Sequence, residues 1–156
     1  MSLPEAKQEN FQIALYNYIE GAYVLTEKYF VGANTLDTTS LNEWVEFSWH
    51  NVIGREIRHV NGKPGQMNFV YLDALIHVKP TSIITRITRI KDTLIEVLER
   101  AVIDVLDYVG SSTTIVGGIQ GQGVESDYAL GLENDVNKHL ITFKFQFMRR
   151  FERYTT

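Results

Sequence analysis

The chain has 156 residues, of which 44% are hydrophobic and 22% charged, and its formal net charge is −4. That length suits one domain with one core and is short for two, and the acidic balance argues against a general nucleic-acid binder, which carries a basic excess. The lack of cysteine excludes disulfides, thiolate nucleophiles and cysteine-based zinc sites together.

The opening MSLPEAKQENFQ is polar, with no basic stretch leading into an apolar one. No run approaches the roughly 18 apolar residues of a membrane span. The expectation is a soluble protein made in the cytoplasm. The first predicted element is a helix from about Pro4 to Tyr29, started by Ser2, Pro4 and Glu5. Phe11, Leu15, Tyr18, Ile19, Ala22, Tyr23, Thr26 and Phe30 recur at spacings of three and four, one face of a 3.6-residue period. Residues 31–42, VGANTLDTTSLN, are turn-formers and read as a loop.

In EWVEFSW, Val45, Phe47 and Trp49 alternate with Trp44, Glu46 and Ser48, the mark of a half-buried strand. Gly54 ends it, and a short strand from Arg55 to Val60 runs into NGKPGQ, whose Asn61-Gly62 and Pro64-Gly65 predict a hairpin tip. The return strand, Gln66 to Val78, sets Val70, Leu72, Ala74, Ile76 and Val78 on one face. Met67, Phe69, Tyr71 and Leu75 make its other face apolar too, which suits a central strand or one covered by another subunit.

A second helix is predicted from Pro80 and Thr81 or Ser82 to about Val109. Its stripe is Ile84, Ile87, Leu94, Val97, Leu98, Ala101, Val105 and Tyr108, and Gly110 falls at a C-cap position. Glu96–Arg100 and Arg100–Asp104 have the spacing of helical ion pairs. Strands are expected at Thr113 to Val116 and Tyr128 to Leu132, with a turn at Asn134-Asp135. In HLITFKFQFMRRF, Ile141, Phe143, Phe145 and Phe147 alternate with Leu140, Thr142, Lys144 and Gln146, the clearest strand in the chain. The order predicts an α+β fold: a mostly antiparallel twisted sheet with an extended hairpin and two helices packed on one face.

Between the last strands lies GGIQGQG, residues 117–123. A phosphate loop needs Gly-Lys-Ser/Thr opening a helix, and neither follows here. The stretch reads as a glycine-rich bulge or hairpin within a sheet. His50, His59, His77 and His139 share no metal-ligand spacing, so no metal or cofactor is expected. No GxSxG motif is present, and Ser111-Ser112 follow a predicted helix end. Glu125 and Asp127 are close enough in sequence for an acid/base pair, but loop carboxylates beside glycine are usually just solvated, and the calcium-loop pattern is absent.

Charge is unevenly spread. Residues 92–135 hold nine acids and one base, a net −8, and residues 136–156 hold five bases and one acid, a net +4. Two readings stay open: a solvated acidic helix face with a basic tail, or head-to-tail complementarity between identical subunits.

The element order, in particular EWVEFSWHN, IRHVNGKPGQMNFVYLDALIHV, ITRIKDTLIEVLERAVIDVLDYV and the closing ITFKFQFMRRF, resembles the tail terminator (tail-to-head joining) proteins of long-tailed bacteriophages. The resemblance covers nearly the whole chain and rests on architecture and spacing. It implies a non-enzymatic virion protein at the head-proximal end of the tail. Six copies would ring the DNA path, cap the tail tube protein and present a surface to a head-completion or neck protein. DNA would pass without specific binding, and no membrane is involved. It further implies a subunit or tube interface at Asn61, Gly62, Lys63, Pro64, Phe69, Tyr71, Arg149, Arg150 and Arg153, and an acidic lumen from Asp92, Glu96, Glu99, Glu125 and Asp127. The competing expectations are a related neck or tail-completion protein, a small carboxylate-based hydrolase, or a ligand-binding domain with Tyr16, Tyr18 and Tyr23 at a cavity rather than in packed core.

Overall fold

The computed structural model describes residues 8–32, 35–51, 55–60, 63–80 and 85–150. The expected helix starts at Ser2, Pro4 and Glu5 and at Thr81 and Ser82, together with Gly54, Asn61, Gly62, Ile84 and Arg153, lie outside those residues. Among these residues two helices and seven strands follow in the order α1 (Gln8–Ala22), β1 (Glu27–Phe30), β2 (Glu43–Asn51), β3 (Arg55–Val60), β4 (Lys63–Val78), α2 (Arg86–Leu98), β5 (Val102–Leu106), β6 (Ile115–Glu133) and β7 (Val136–Arg150). The architecture is the expected α+β one. The sheet runs β1-β2-β4-β7-β6-β5, and β3 takes up the pairing of β4 beyond the end of β2. Every pairing is antiparallel except β1 with β2.

Alternation decides which face is buried. Val45 and Phe47 of β2, Val70, Leu72, Ala74 and Ile76 of β4, and Ile141, Phe143, Phe145 and Phe147 of β7 are all buried. Each of the three phenylalanines of β7 contributes about 2 kcal/mol by leaving water. Both helices lie on this face. Phe11 of α1 stacks on Phe147, and α2 buries Ile90, Leu94 and Leu98. The Tyr18 hydroxyl donates to the Val97 carbonyl at 2.7 Å, tying one helix to the other.

Both helices are shorter than their apolar periodicity predicts. The first ends at Ala22, not Tyr29, because Lys28 turns back over its end. The Lys28 ammonium donates to the carbonyls of Glu20 at 2.9 Å and Tyr23 at 2.5 Å, a cationic cap on orphan acceptors. Thr26 therefore leaves the helix, and Phe30 continues the core from β1.

The second helix ends at Leu98, not Val109. Ala101, Val105 and Tyr108 match helical spacing, but VIDVL is a β-branched, alternating run and forms β5, with Ile103 and Val105 buried. Gly110 accordingly caps no helix. Its N–H bonds the Asp107 carboxylate at 3.1 Å in the turn after β5. The expected Arg100 ion pairs lose their helical geometry, since Asp104 lies on a strand.

The glycine stretch is strand, as the missing phosphate-loop residues imply. The separate strands expected on either side of it are one, β6. The Gly121 N–H donates to the Ala101 carbonyl at 2.7 Å. A Cβ at Gly121 would lie 2.5 Å from the Glu99 carbonyl oxygen and 2.6 Å from that of Leu98. The chain needs a bare backbone there because β6 crosses the α2–β5 junction. Gly123, at φ +104°, belongs to the register shift between Gly121 and Val124. Asn134 and Asp135, at φ 51° and 61°, close the two-residue turn to β7.

Candidate assembly surfaces

The sheet face away from the helices is less apolar than the sequence suggests. Asp73 stands at its centre, between Ser48 of β2 and Thr142 of β7. It accepts a hydrogen bond from the Thr142 hydroxyl at 2.6 Å, and its other oxygen meets His50 Nε2. Phe69 and Tyr71 lie on this face half-buried within the single chain. The Lys144 ammonium sits 4.6 Å from the Phe69 ring centroid and covers part of it.

At one end of the same face His77 is buried against Trp44. Neither ring nitrogen of His77 has a hydrogen-bond partner among the described residues, and the nearest carboxylate oxygen, of Glu46, is 3.5 Å from Nε2. Burial, and then the Lys138 charge, hold the imidazole pKa down at about 4.

Exposed apolar side chains gather at the sheet's edges instead. Val24 and Val31 flank β1 at one side. Val102, Val109 and Ile115 mark β5 and its turn at the other. Beyond Gly121, β6 pairs only with β7 among the described residues, so the outer edge of its second half is open. Along that half stand Tyr128, Leu130 and Leu132, 50%, 47% and 61% exposed. A long apolar open edge is a template for another strand.

The acidic residues divide into two groups. Asp92 and Glu96 are exposed on α2, and Glu99 follows its last turn. Glu125 sits in a bulge of β6, between Val124 and Ser126, and is exposed. Asp127 is already compensated. His139 Nε2 contacts one of its oxygens, and Lys91 Nζ lies 3.2 Å from the other. The His139 hydrogen bond, then the Lys91 contact, hold its carboxyl below the usual range despite desolvation. A depressed carboxylate is the wrong partner for general-acid work.

On the interface side, β3 and the start of β4 form the expected hairpin. Register places Gly65 and Gln66 of β4 opposite Arg150 and Arg149. Lys63 and Pro64 open β4 at the same end of the sheet.

A groove of about 340 Å³ lies between α1 and the β1–β2 edge, lined by Ile13, Tyr16, Phe30, Phe47, Ser48 and Trp49 among others. Among the described residues it is lined by no charged side chain, so those residues do not gather the carboxylates a hydrolase would use. Tyr16 borders it, whereas Tyr23 is core, with its hydroxyl 2.8 Å from that of Thr26 and its pKa raised by burial to about 12. Among the described residues no three His, Asp or Glu side chains converge as metal ligands. No helix there is long and apolar enough to cross a membrane. Sequence reasoning missed the pairing of Asp73 with His50 and the open edge of β6. Neither an isolated Asp in an apolar strand nor an edge announces itself before strand order is known.

No protein-family model matches the chain, and no curated protein matches it in sequence.

Proposed function

We propose that this chain is a structural ring subunit of a bacteriophage tail, of the tail-terminator type. It would cap the tail tube and offer its other side to the head. One observation carries the reading: among the described residues the exposed large apolar side chains lie at the lateral edges of a two-helix, one-sheet unit and in the turn beside one of them, while the faces are packed or polar. A subunit built this way associates sideways, and unlike edges meeting head to tail close a ring. The placement of side chains supports a non-enzymatic role, since the two histidine–carboxylate contacts, His50 with Asp73 and His139 with Asp127, sit on strands outside the groove.

In such a ring, α2 is the element to face the DNA path. Asp92, Glu96 and Glu99 would repel the phosphate backbone and let DNA slide. Asp127 contributes less, because Lys91 and His139 already balance it.

Solution mass tests the reading. Six-copy rings, formed by the chain alone or on added tail tubes, are expected. Particles lacking the subunit should carry overlong tails that fail to join heads. A chain that stays single beside tube ends would end the proposal. A normal tail length with a missing neck would move the chain to a related tail-completion role.

A further inference from the structure

We infer that neighbouring copies join through β3 of one subunit adding to the open edge of β6 in the next. This deepens the ring reading and rests on it for the identity of the partner.

Four strand edges are open among the described residues, those of β1, β5, β3 and the second half of β6, and the last two are opposite in charge. One is the outer edge of β3, which pairs only with β4. Its six residues are REIRHV, and Lys63, Arg149 and Arg150 fall at the same end of the sheet by register. The other is β6 beyond Gly121. There QGVESDYALGLE, residues 122–133, holds three acids and no base. Both stretches carry large apolar residues between the charges: Ile57 and Val60 on β3, and Tyr128, Leu130 and Leu132 on β6.

Within one chain the two edges cannot meet, because β4 and β7 lie between them. Pairing of β6 with its own copy is disfavoured by charge. An antiparallel pair centred on Leu130 would set Asp127 opposite Glu133 and bring Glu125 towards the turn that holds Asp135, and although Lys91 and His139 offset Asp127 and Lys138 offsets Glu133, like charges across a sheet destabilise it. The basic β3 edge removes that conflict. Backbone hydrogen bonds across the junction would supply affinity, and alternate charges would set the register. The contact is heterologous, so each copy keeps one edge of each kind free for the next neighbour, which is what a ring requires.

The chain's freedom from cysteine allows a direct test. Ile57→Cys and Leu130→Cys variants are mixed under oxidation, with tail tubes present, and the double variant is oxidised alone. A mixed disulfide dimer and, from the double variant, a ladder ending at the ring mass are expected. Glu125→Lys and Arg58→Glu, which each reverse a charge on one of the two complementary edges, should each weaken self-association about tenfold. Leu130→Lys should block assembly without lowering the melting temperature, because the side chain is solvent-facing in the single chain. Rings that form with no mixed disulfide and tolerate both charge reversals would overturn this contact and leave the ring reading intact. A dimer of Leu130→Cys with itself as the main product would also overturn it. A chain that stays monomeric throughout, tubes included, would overturn both.

Discussion

The imidazole of His77 lies flat on the indole of Trp44, with ring centroids 4.7 Å apart and planes 10° from parallel. The pair closes one end of the open sheet face, with His77 only 4% exposed. A cationic imidazole there would lack hydrogen-bond partners, so the neutral ring is the stable form.

A pH dependence follows. The folded pKa, about 4, lies below the ordinary histidine value of 6.5. The unfolded chain therefore binds the extra proton first, and stability falls as pH drops from 6.5 towards 4. The loss is at most about 3 kcal/mol, and it levels off below the folded pKa. His77→Phe keeps the stack and removes the titration. Urea unfolding at pH 7.5 and 4.5 should show a smaller pH difference for the variant than for the parent. Equal differences would mean that His77 is not held neutral.

Arg86 and Glu43 form a two-pronged ion pair, Nε to Oε2 at 2.6 Å and Nη2 to Oε1 at 2.5 Å. It fastens the first turn of α2 to the start of β2, and both side chains are about four-fifths buried. Arg86→Lys keeps the charge but loses the fork. We expect a loss of about 1 kcal/mol in chemical denaturation. No change would assign the pair to the negligible class of surface ion pairs.

Three glycines of β6 should respond differently to alanine. At Gly121 the new methyl would meet backbone carbonyls that a side-chain rotation cannot move, at a cost of about 2 kcal/mol. At Gly123 the space is open but φ is +104°, which costs about 1 kcal/mol. At Gly118 the nearest atom is 3.8 Å away and the change should be close to neutral. Ranked unfolding midpoints check the order, and a neutral Gly121→Ala would refute the close crossing of β6 over the α2–β5 junction.

Asn10 is fully buried on α1. Its Oδ1 accepts the Val109 N–H at 2.9 Å, and its Nδ2 donates to Asp107 at 3.4 Å. Asn10→Leu would strand the Val109 donor and should cost about 2 kcal/mol. Amide exchange at Val109 should accelerate beyond the global effect. Unchanged exchange would show that the bond does not hold the turn.

For the proposed lumen, charge reversal at Asp92, Glu96 and Glu99 together should slow DNA ejection by at least about tenfold while leaving assembly intact. Unaltered ejection would remove α2 from the DNA path.

The sequence alone determined the parts whose signal is local. Alternation in EWVEFSWHN and ITFKFQFM marked β2 and β7 and named their buried faces, and Asn134-Asp135 marked the turn. The missing Lys-Ser/Thr after Gly123 argued against a phosphate loop from the sequence alone. Helix ends were not local. Lys28 stops α1 by reaching back across five to eight residues, and Ala101, Val105 and Tyr108 satisfy helical spacing while the chain runs as strand. A period of 3.6 and a period of 2 coincide every few positions, so a short apolar run fits both, and only pairing with β6 decided between them. The surfaces were decided later still. Asp73 is an isolated acid until β2 and β7 bring His50 and Thr142 to it, and β6 has an open edge only because β5 begins no earlier than Val102. Exposure belongs to the sheet as a whole, since which atoms meet water depends on strands that are far apart in the chain.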